Sequence, residues 1–511
     1  MRDFVSRKWP GSTLIATTFL LFIVSLSTSA SVTLEENKPN VLMLLFDDMR
    51  FDSFSYRGGP VHTPNIDLLA KEGTRFDYAM TSTGLCSPSR AALFTGRWGH
   101  KNGLDDNVHL YHSRLSELPL SEGGLIKRAA EAGYYVGYSG KWHLGGQGTV
   151  LRGAEFVYGE EHHRERHGRQ WTPYEIANQT ERYFHGELDA NGEKHQYYQT
   201  LPGTYEDTHT AQIVDHGQAF LKKAAKEDRP FFSVVSFHQP HPPYRVPEPY
   251  ASMFNPDELK LPLNHGIERV NKPMSQDDPW WPWHRVGHMT DRDWRKSRAY
   301  YYGAIAMVDH AIGELIATAK NEGLYNDLFI VLLGDQGSML GEHSLYDKGP
   351  YAYDELMRMP LIIRHPEVAP KVVTRQVSML DIAPTIAEWM QLTSDGDVDG
   401  RSLNSLIEKG DKADIGREDV ALYVYEWYNG SWFGIRALRT PDMKFVWNPG
   451  DSRDELYDLK NDPGEIVNQI HNQKYNAQLL KMTNLLELEM KRVGDPLLPK
   501  LRHHIAHYRQ K

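Results

Sequence analysis

Val41-Leu-Met-Leu-Leu-Phe46 runs without a break into Asp47-Asp48. A continuous apolar run of this length reads as a strand buried on both faces, and such strands belong to parallel sheets covered by helices on either side. The sudden change to two carboxylates marks its end as a functional edge. The pattern recurs: Phe231-Phe-Ser-Val-Val-Ser-Phe237 runs into His238, and Leu328-Phe-Ile-Val-Leu-Leu333 runs into Gly334-Asp335-Gln336. A shorter run, Leu361-Ile-Ile363, follows Pro360. Helical stretches lie between these runs. Ser121 can cap a helix reaching Gly133, and residues 298–323 carry Ile305, Val308, Ile312 and Ile316 at amphipathic spacing. Strands alternating with helices predict an α/β fold with a large, mainly parallel sheet flanked by helices. Ligands of such sheets bind beyond the carboxyl ends of the strands, where these polar residues stand.

From about Gly400 the pattern changes. Residues 421–428, 432–438 and 444–447 read as short strands joined by turns such as Asn448-Pro-Gly-Asp451, with a helix over 476–492. This predicts a catalytic α/β domain over residues 31–399 and a smaller C-terminal α+β subdomain, with an antiparallel sheet, over 400–511. The stretches 150–205 and 255–295 lack clear periodicity and read as long insertions.

Residues 1–30 do not read as folded structure. Arg2, Arg7 and Lys8 precede an apolar stretch from Leu14 to Leu26, and small residues follow to Ser29-Ala30. That is the layout of a cleaved signal peptide, and the apolar run is shorter than the ~20 residues a spanning helix needs. A secreted or periplasmic protein without a stable membrane anchor is expected. The net charge of −10 argues against nucleic acid as a partner. Export gives the single cysteine its meaning: a chain free to form disulfides has only Cys86 and can form none internally.

Cys86-Ser-Pro88-Ser-Arg90-Ala-Ala-Leu-Phe-Thr95-Gly96 surrounds that cysteine. Pro88 suits the first turn of a helix, which puts Cys86 at its N-terminus, where the dipole favours an anion. With Arg90 one turn away, Cys86 reads on these grounds as a candidate low-pKa thiolate nucleophile.

The segment also matches, in residue identity and spacing, the signature of formylglycine-dependent type I sulfatases, of the alkaline-phosphatase-like superfamily. Asp47-Asp48, Gly140-Lys-Trp-His143-Leu-Gly145, His238-Gln-Pro-His241, Gly334-Asp-Gln-Gly337, Asp347-Lys-Gly349 and Met379-Leu-Asp-Ile-Ala-Pro384 each resemble a block of that family, in its order. So does the stretch 439–465. The resemblance implies that Cys86 is oxidised by a formylglycine-generating maturation enzyme to 3-oxoalanine (formylglycine). The hydrate of that aldehyde attacks sulfur, and the aldehyde re-forms as sulfate leaves, so one hard step becomes two easier ones. It implies a Ca²⁺ ion contacting the modified Cys86 and held by Asp47, Asp48, Asp335 and Gln336, an all-oxygen protein set that suits Ca²⁺ or Mg²⁺ over zinc. Gln336 stands where many relatives have Asn. Arg90 and Lys141 would hold the hydrate, His143 would orient or deprotonate it, and His238 and Lys348 would bind the sulfate, with His238 protonating the leaving oxygen.

For the substrate, His241 and His343 flank the core blocks and are expected to touch a sugar. The basic run 162–169, with Arg166, and the aromatic-basic run 278–285, with Trp281, are candidate contacts for a sulfated carbohydrate. Asn178 and Asn429 fit glycosylation acceptors. The expected reaction is hydrolysis of a sulfate ester of a polysaccharide or oligosaccharide, ulvan being one candidate. The alternatives are a phosphonate or phosphate monoester hydrolase on the same fold, a sulfamate-cleaving relative, and a non-catalytic glycan-binding protein with unmodified Cys86.

Overall fold

Alternate residues of the first strand face two different cores. In β1 (Asn40–Phe46), Leu42, Leu44 and Phe46 enter one apolar cluster, and Val41, Met43 and Leu45 enter another. Side chains alternate across a strand, so a run that is apolar at every position is what a sheet covered on both faces requires. The computed structural model describes residues 38–508 apart from 109–112, 147, 160–196, 277–285, 288, 394–395, 429, 452 and 507. The expected signal segment, Arg166, Asn178, Trp281 and Asn429 lie outside the described residues.

The large sheet also contains β2 (Thr74–Met80), β3 (Tyr135–Gly140), β4 (Phe156–Tyr158), β5 (Phe231–Ser236), β6 (Leu328–Gly334), β7 (Arg358–Met359), β8 (Leu361–Arg364) and β9 (Lys371–Ser378). Strand β1 lies parallel between β5 and β6, pairing Leu44 with Val235 and with Leu332. Outward from β5 the sheet continues in parallel through β3 and β4. On the other side, β8 pairs antiparallel with β6 and with β2, while β9 pairs parallel with β2. The sheet is therefore mainly parallel, but the short run after Pro360 is not. The segment between Gly334 and Leu361 stays at the end of the sheet where β6 left it, without the crossover a parallel return needs, so β8 runs back antiparallel.

Helices cover both faces. One face packs against α1 (Pro64–Glu72), α4 (His209–Ala224) and α5 (Asp291–Asn321), the other against α2 (Cys86–Thr95), α3 (Gly124–Glu131) and α6 (Ile382–Trp389). Helix α5 starts earlier than its apolar spacing suggests, because Thr290 and Asp293 form a reciprocal capping box. The helix expected from Ser121 begins only at Gly124. Gly123 and Gly124, at φ 61° and 80°, break the chain after a separate 3₁₀ turn.

A four-stranded antiparallel sheet follows, in sequence order: β10 (Ala421–Tyr428), β11 (Ser431–Arg439), β12 (Met443–Trp447) and β13 (Glu455–Asp458). Leu422, Leu438, Phe445 and Leu456 pack on one face with Leu479, Met482, Leu486 and Met490 of α7 (Asn476–Val493) and with α8 (Leu498–Ile505). The opposite face sends Tyr423, Tyr425 and Ala437 against Leu85, Tyr351 and Leu356, so it backs the loop that leads into α2.

Candidate active site

The carboxyl ends of β1, β3, β5 and β6 bring the polar residues to one place. Asp47 and Asp48 follow β1, and both are fully buried. Asp335 follows β6, and its N–H donates to Phe46 O at 2.9 Å, which ties the two strand ends together. Its carboxylate Oδ1 accepts from the N–H groups of Asp48 (3.1 Å) and Gln336 (2.9 Å). Lys141 follows β3 through Gly140, whose φ is 98°. A Cβ there would lie 1.9 Å from Ser236 O, so only glycine lets the chain leave the strand at this point.

The nucleophile candidate opens α2, every residue of which is buried. The loop ahead of it is held from the antiparallel sheet: Gly84 N–H donates to Tyr423 Oη at 3.0 Å, and that hydroxyl donates to Tyr351 O at 3.1 Å. Inside the helix, Ser87 N–H donates to Asn107 Oδ1 at 2.9 Å and Ser87 Oγ donates to His143 O at 2.7 Å. Arg90, fully buried, donates from Nε to Asp335 Oδ2 (2.8 Å) and from Nη1 to Lys141 O (2.7 Å) and Ser236 Oγ (2.9 Å).

Two lysines meet the carboxylates. Lys348 Nζ donates to both oxygens of Asp48, and Lys141 Nζ to Asp47 Oδ2. Ligand atoms of Asp47, Asp48, Cys86 and His241 all lie within 4.8 Å of one another. Gln336 Nε2 reaches Asp48 Oδ1 at 2.5 Å and Cys86 Sγ at 3.1 Å.

Charge in this space is strongly coupled. Burial works against ionised Asp47, yet Lys141, His241 and Arg90 hold its carboxyl well below the usual range. Asp48 is raised by burial and by the neighbouring carboxylates of Asp347, Asp47 and Asp335, with only Lys348 opposing strongly. Asp335 is pushed up to about 6 by burial and by Asp47. Burial, then Asp47, raises the Cys86 thiol far above its ordinary value. Burial and the surrounding carboxylates work against the thiolate that a helix N-terminus favours.

Three fully buried acids crowded together fit a cation site. Asp47 Oδ1 and Gln336 Oε1 are both buried without a hydrogen-bond partner, so both oxygens are open to a cation. Oxygens from carboxylates and one amide suit a hard divalent ion. Asp335, with both oxygens already accepting hydrogen bonds, sits at the edge of this set.

Of the other residues expected here, His143 adjoins the nucleophile helix through its backbone, at φ 58°. His238 lies beside His209, with ring centres 5.4 Å apart and the planes tilted by 50°. His241, expected to touch sugar, stands instead in the central cluster: its Nε2 lies 3.8 Å from Asp48 Oδ2, and its Nδ1 contacts Pro242 O. His343 is 3% exposed, stacked on Tyr353 at 3.9 Å and bonded to Asn264, so its ring is committed to the interior. Sequence reading missed Ser236, Asn107 and Tyr423. None sits in a motif, and each acts through a contact that only the fold creates.

The family model described as Sulfatase matches residues 39–392, and one described as N-sulphoglucosamine sulphohydrolase, C-terminal, matches 341–492. The chain is 29% identical to an uncharacterized sulfatase of Escherichia coli strain K12, over 90% of this chain and 88% of that one. It is 26% identical to an ulvan-active sulfatase of Formosa agariphila, over 90% and 83%. Among solved structures, the phosphonate monoester hydrolase of Agrobacterium radiobacter superposes with a TM-score of 0.71 at 25% identity, covering 89% of this chain and 96% of that one.

Proposed function

The chain belongs to the sulfatase family of sulfuric ester hydrolases, and from that premise we propose that it is an exported enzyme that removes sulfate from a sulfated carbohydrate, using formylglycine made from Cys86. The observation that carries this reading is the meeting of Asp47, Asp48, Cys86 and His241 within 4.8 Å, with Lys141 and Lys348 bonded to the two carboxylates. An uncharged, deeply buried thiol is a poor nucleophile, whereas an aldehyde hydrate supplies an attacking hydroxyl at the same position. Asp47, Asp48 and Gln336, with Asp335 beside them, would hold a Ca²⁺ ion, which supplies fixed positive charge against the sulfate oxygens.

The chain's own side chains do the rest. Lys141 and Lys348 add positive charge aimed at the sulfuryl group, which stabilises its oxygens as charge develops. Arg90 keeps Asp335 in place from behind. His241 is better placed than His238 to protonate the leaving oxygen, since it is the histidine inside the cluster. Burial and Lys348 favour its neutral form, and an arriving sulfate ester adds the negative charge that returns a proton to it.

The carbohydrate reading draws on the name of the Formosa agariphila relative, on the family description of the C-terminal match, and on the aromatic and basic insertions. Ulvan is the first candidate polymer. Export rests on residues 1–30, a maturation enzyme is implied by the modification, and the division near residue 400 follows the change to the antiparallel sheet. No helix among the described residues is long and apolar enough to cross a membrane.

The test is the mass of the tryptic peptide from Phe76 to Arg90 in protein from its native source. A loss of about 18 Da against the cysteine form establishes the aldehyde that covalent catalysis here requires. A fully thiol peptide in active protein sinks the proposal. A second reading, hydrolysis of phosphonate or phosphate monoesters, is favoured by the likeness to the Agrobacterium radiobacter enzyme. Rates on matched sulfate and phosphate esters separate the two.

A further inference from the structure

We propose that Tyr301 and Arg50 are positioning residues that hold the Asp47-Asp48 turn in its cation-binding shape and lock it to the Asp335-Gln336 turn. The inference rests on the reading that these carboxylates take a divalent ion.

Asp48 has φ 60°, a left-handed conformation that few non-glycine residues adopt. Such a conformation persists only where the surroundings over-determine it. The Tyr301 hydroxyl provides that constraint from α5. It donates to Asp48 O at 2.9 Å and accepts from Arg50 N–H at 2.8 Å, so one atom clasps the backbone on both sides of Met49. Tyr301 is fully buried.

Arg50 extends the clasp across the site. Its Nε and Nη2 donate to the two oxygens of Asp52, at 2.9 and 2.6 Å. Its Nη1 donates to Ser338 O at 2.9 Å and lies 3.0 Å from Glu342 Oε2. Ser338 stands three residues beyond Asp335, so one rigid guanidinium spans the turn after β1 and the turn after β6. Neither Tyr301 nor Arg50 belongs to the central cluster. Their contribution is to fix where the ligand-bearing backbones stand before an ion arrives. Without the clasp, Asp48 can relax to an ordinary backbone angle, which swings its carboxylate away from Asp47.

The experiment is calcium titration by calorimetry of the chelator-stripped protein, comparing wild type with Tyr301→Phe and Tyr302→Phe. Tyr302 is the neighbouring buried hydroxyl, accepting from Arg298 Nη2 at 2.7 Å, and its hydroxyl has no hydrogen bond to Asp48 or Arg50 among the described residues. It controls for the general loss of a buried hydrogen bond. Tyr301→Phe is expected to weaken calcium about 10- to 100-fold, the usual effect of removing a support behind metal ligands, while Tyr302→Phe leaves affinity unchanged. Equal affinities in wild type and Tyr301→Phe, or an equal loss in both variants, would overturn the brace and leave the ion site standing. A wild-type protein that takes up no calcium removes the ion site and the brace with it. Should Tyr301→Phe fail to fold, Arg50→Lys makes the same test, since it keeps the buried charge and loses the span to Ser338.

Discussion

Lys348 Nζ donates to both carboxylate oxygens of Asp48, at 2.9 and 2.7 Å. Under the proposed function, the lysine would share this buried carboxylate with a cation. Lys348→Met is expected to destabilise the chelator-stripped protein by about 1–3 kcal/mol, the cost of leaving a buried polar group without its partner, since Asp48 then takes a proton. Calcium should restore much of that loss. Denaturant unfolding with and without the ion measures both effects, and a variant as stable as wild type in chelator would refute the pairing.

Cys86 is 1% exposed, and burial and then Asp47 push its thiol pKa up. In any unmodified fraction, iodoacetamide at pH 8 should leave Cys86 untouched until denaturant is added, since the thiolate is the reactive form. Intact mass before and after unfolding reads the result. Rapid alkylation of the folded protein would show that the site stabilises a thiolate after all.

The two histidines of His238-Gln-Pro-His241 should separate under mutation. His241→Ala is expected to lower kcat by about 10²–10⁴-fold, the range for losing a proton donor. His238→Ala, whose ring stands near His209, should retain much more of the rate. Steady-state kinetics on an aryl sulfate with a poor leaving group gives the cleanest contrast. An activated leaving group, needing no proton, should shrink the His241 effect.

Acidity gives a further check. Asp335 is raised to about 6 by burial and Asp47. In the chelated protein the protonated form is favoured on folding, so that stabilisation is complete below the unfolded value near 4 and is lost as pH climbs through about 6. A cation replaces the proton as the neutralising charge. The gap in Tm between calcium-loaded and chelated protein should therefore widen between pH 4 and 7. A gap that stays constant would mean that Asp335 ionises freely without the ion.

Much of this site could be read from the chain because its acidic residues stand where apolar strands stop. Phe46 to Asp47 and Leu333 to Asp335 are changes of polarity that mark the edge of a parallel sheet, and β1 and β6 end there as expected. Pro88 likewise announces the helix that Cys86 begins. What the chain does not disclose is which of two nearby side chains turns inward. His241 and His238 differ by three positions, and only the path of the loop decides which one meets Asp48. His343 lies in a matched neighbourhood, yet its ring stacks on Tyr353 inside the protein. Contacts such as Tyr423 to Gly84 join residues 339 positions apart, and no local pattern encodes them.

That last contact also sets a timetable. The helix bearing Cys86 is buried along its whole length, and the loop ahead of it is closed over by a strand synthesised hundreds of residues later. If Cys86 is oxidised as proposed, a macromolecular catalyst would have to reach it between the moment its segment is made and the moment the C-terminal sheet docks. The yield of active enzyme would then be a race between modification and folding. A chain that folded faster, or was expressed faster than its catalyst could keep pace, would emerge stable, correctly shaped and inert.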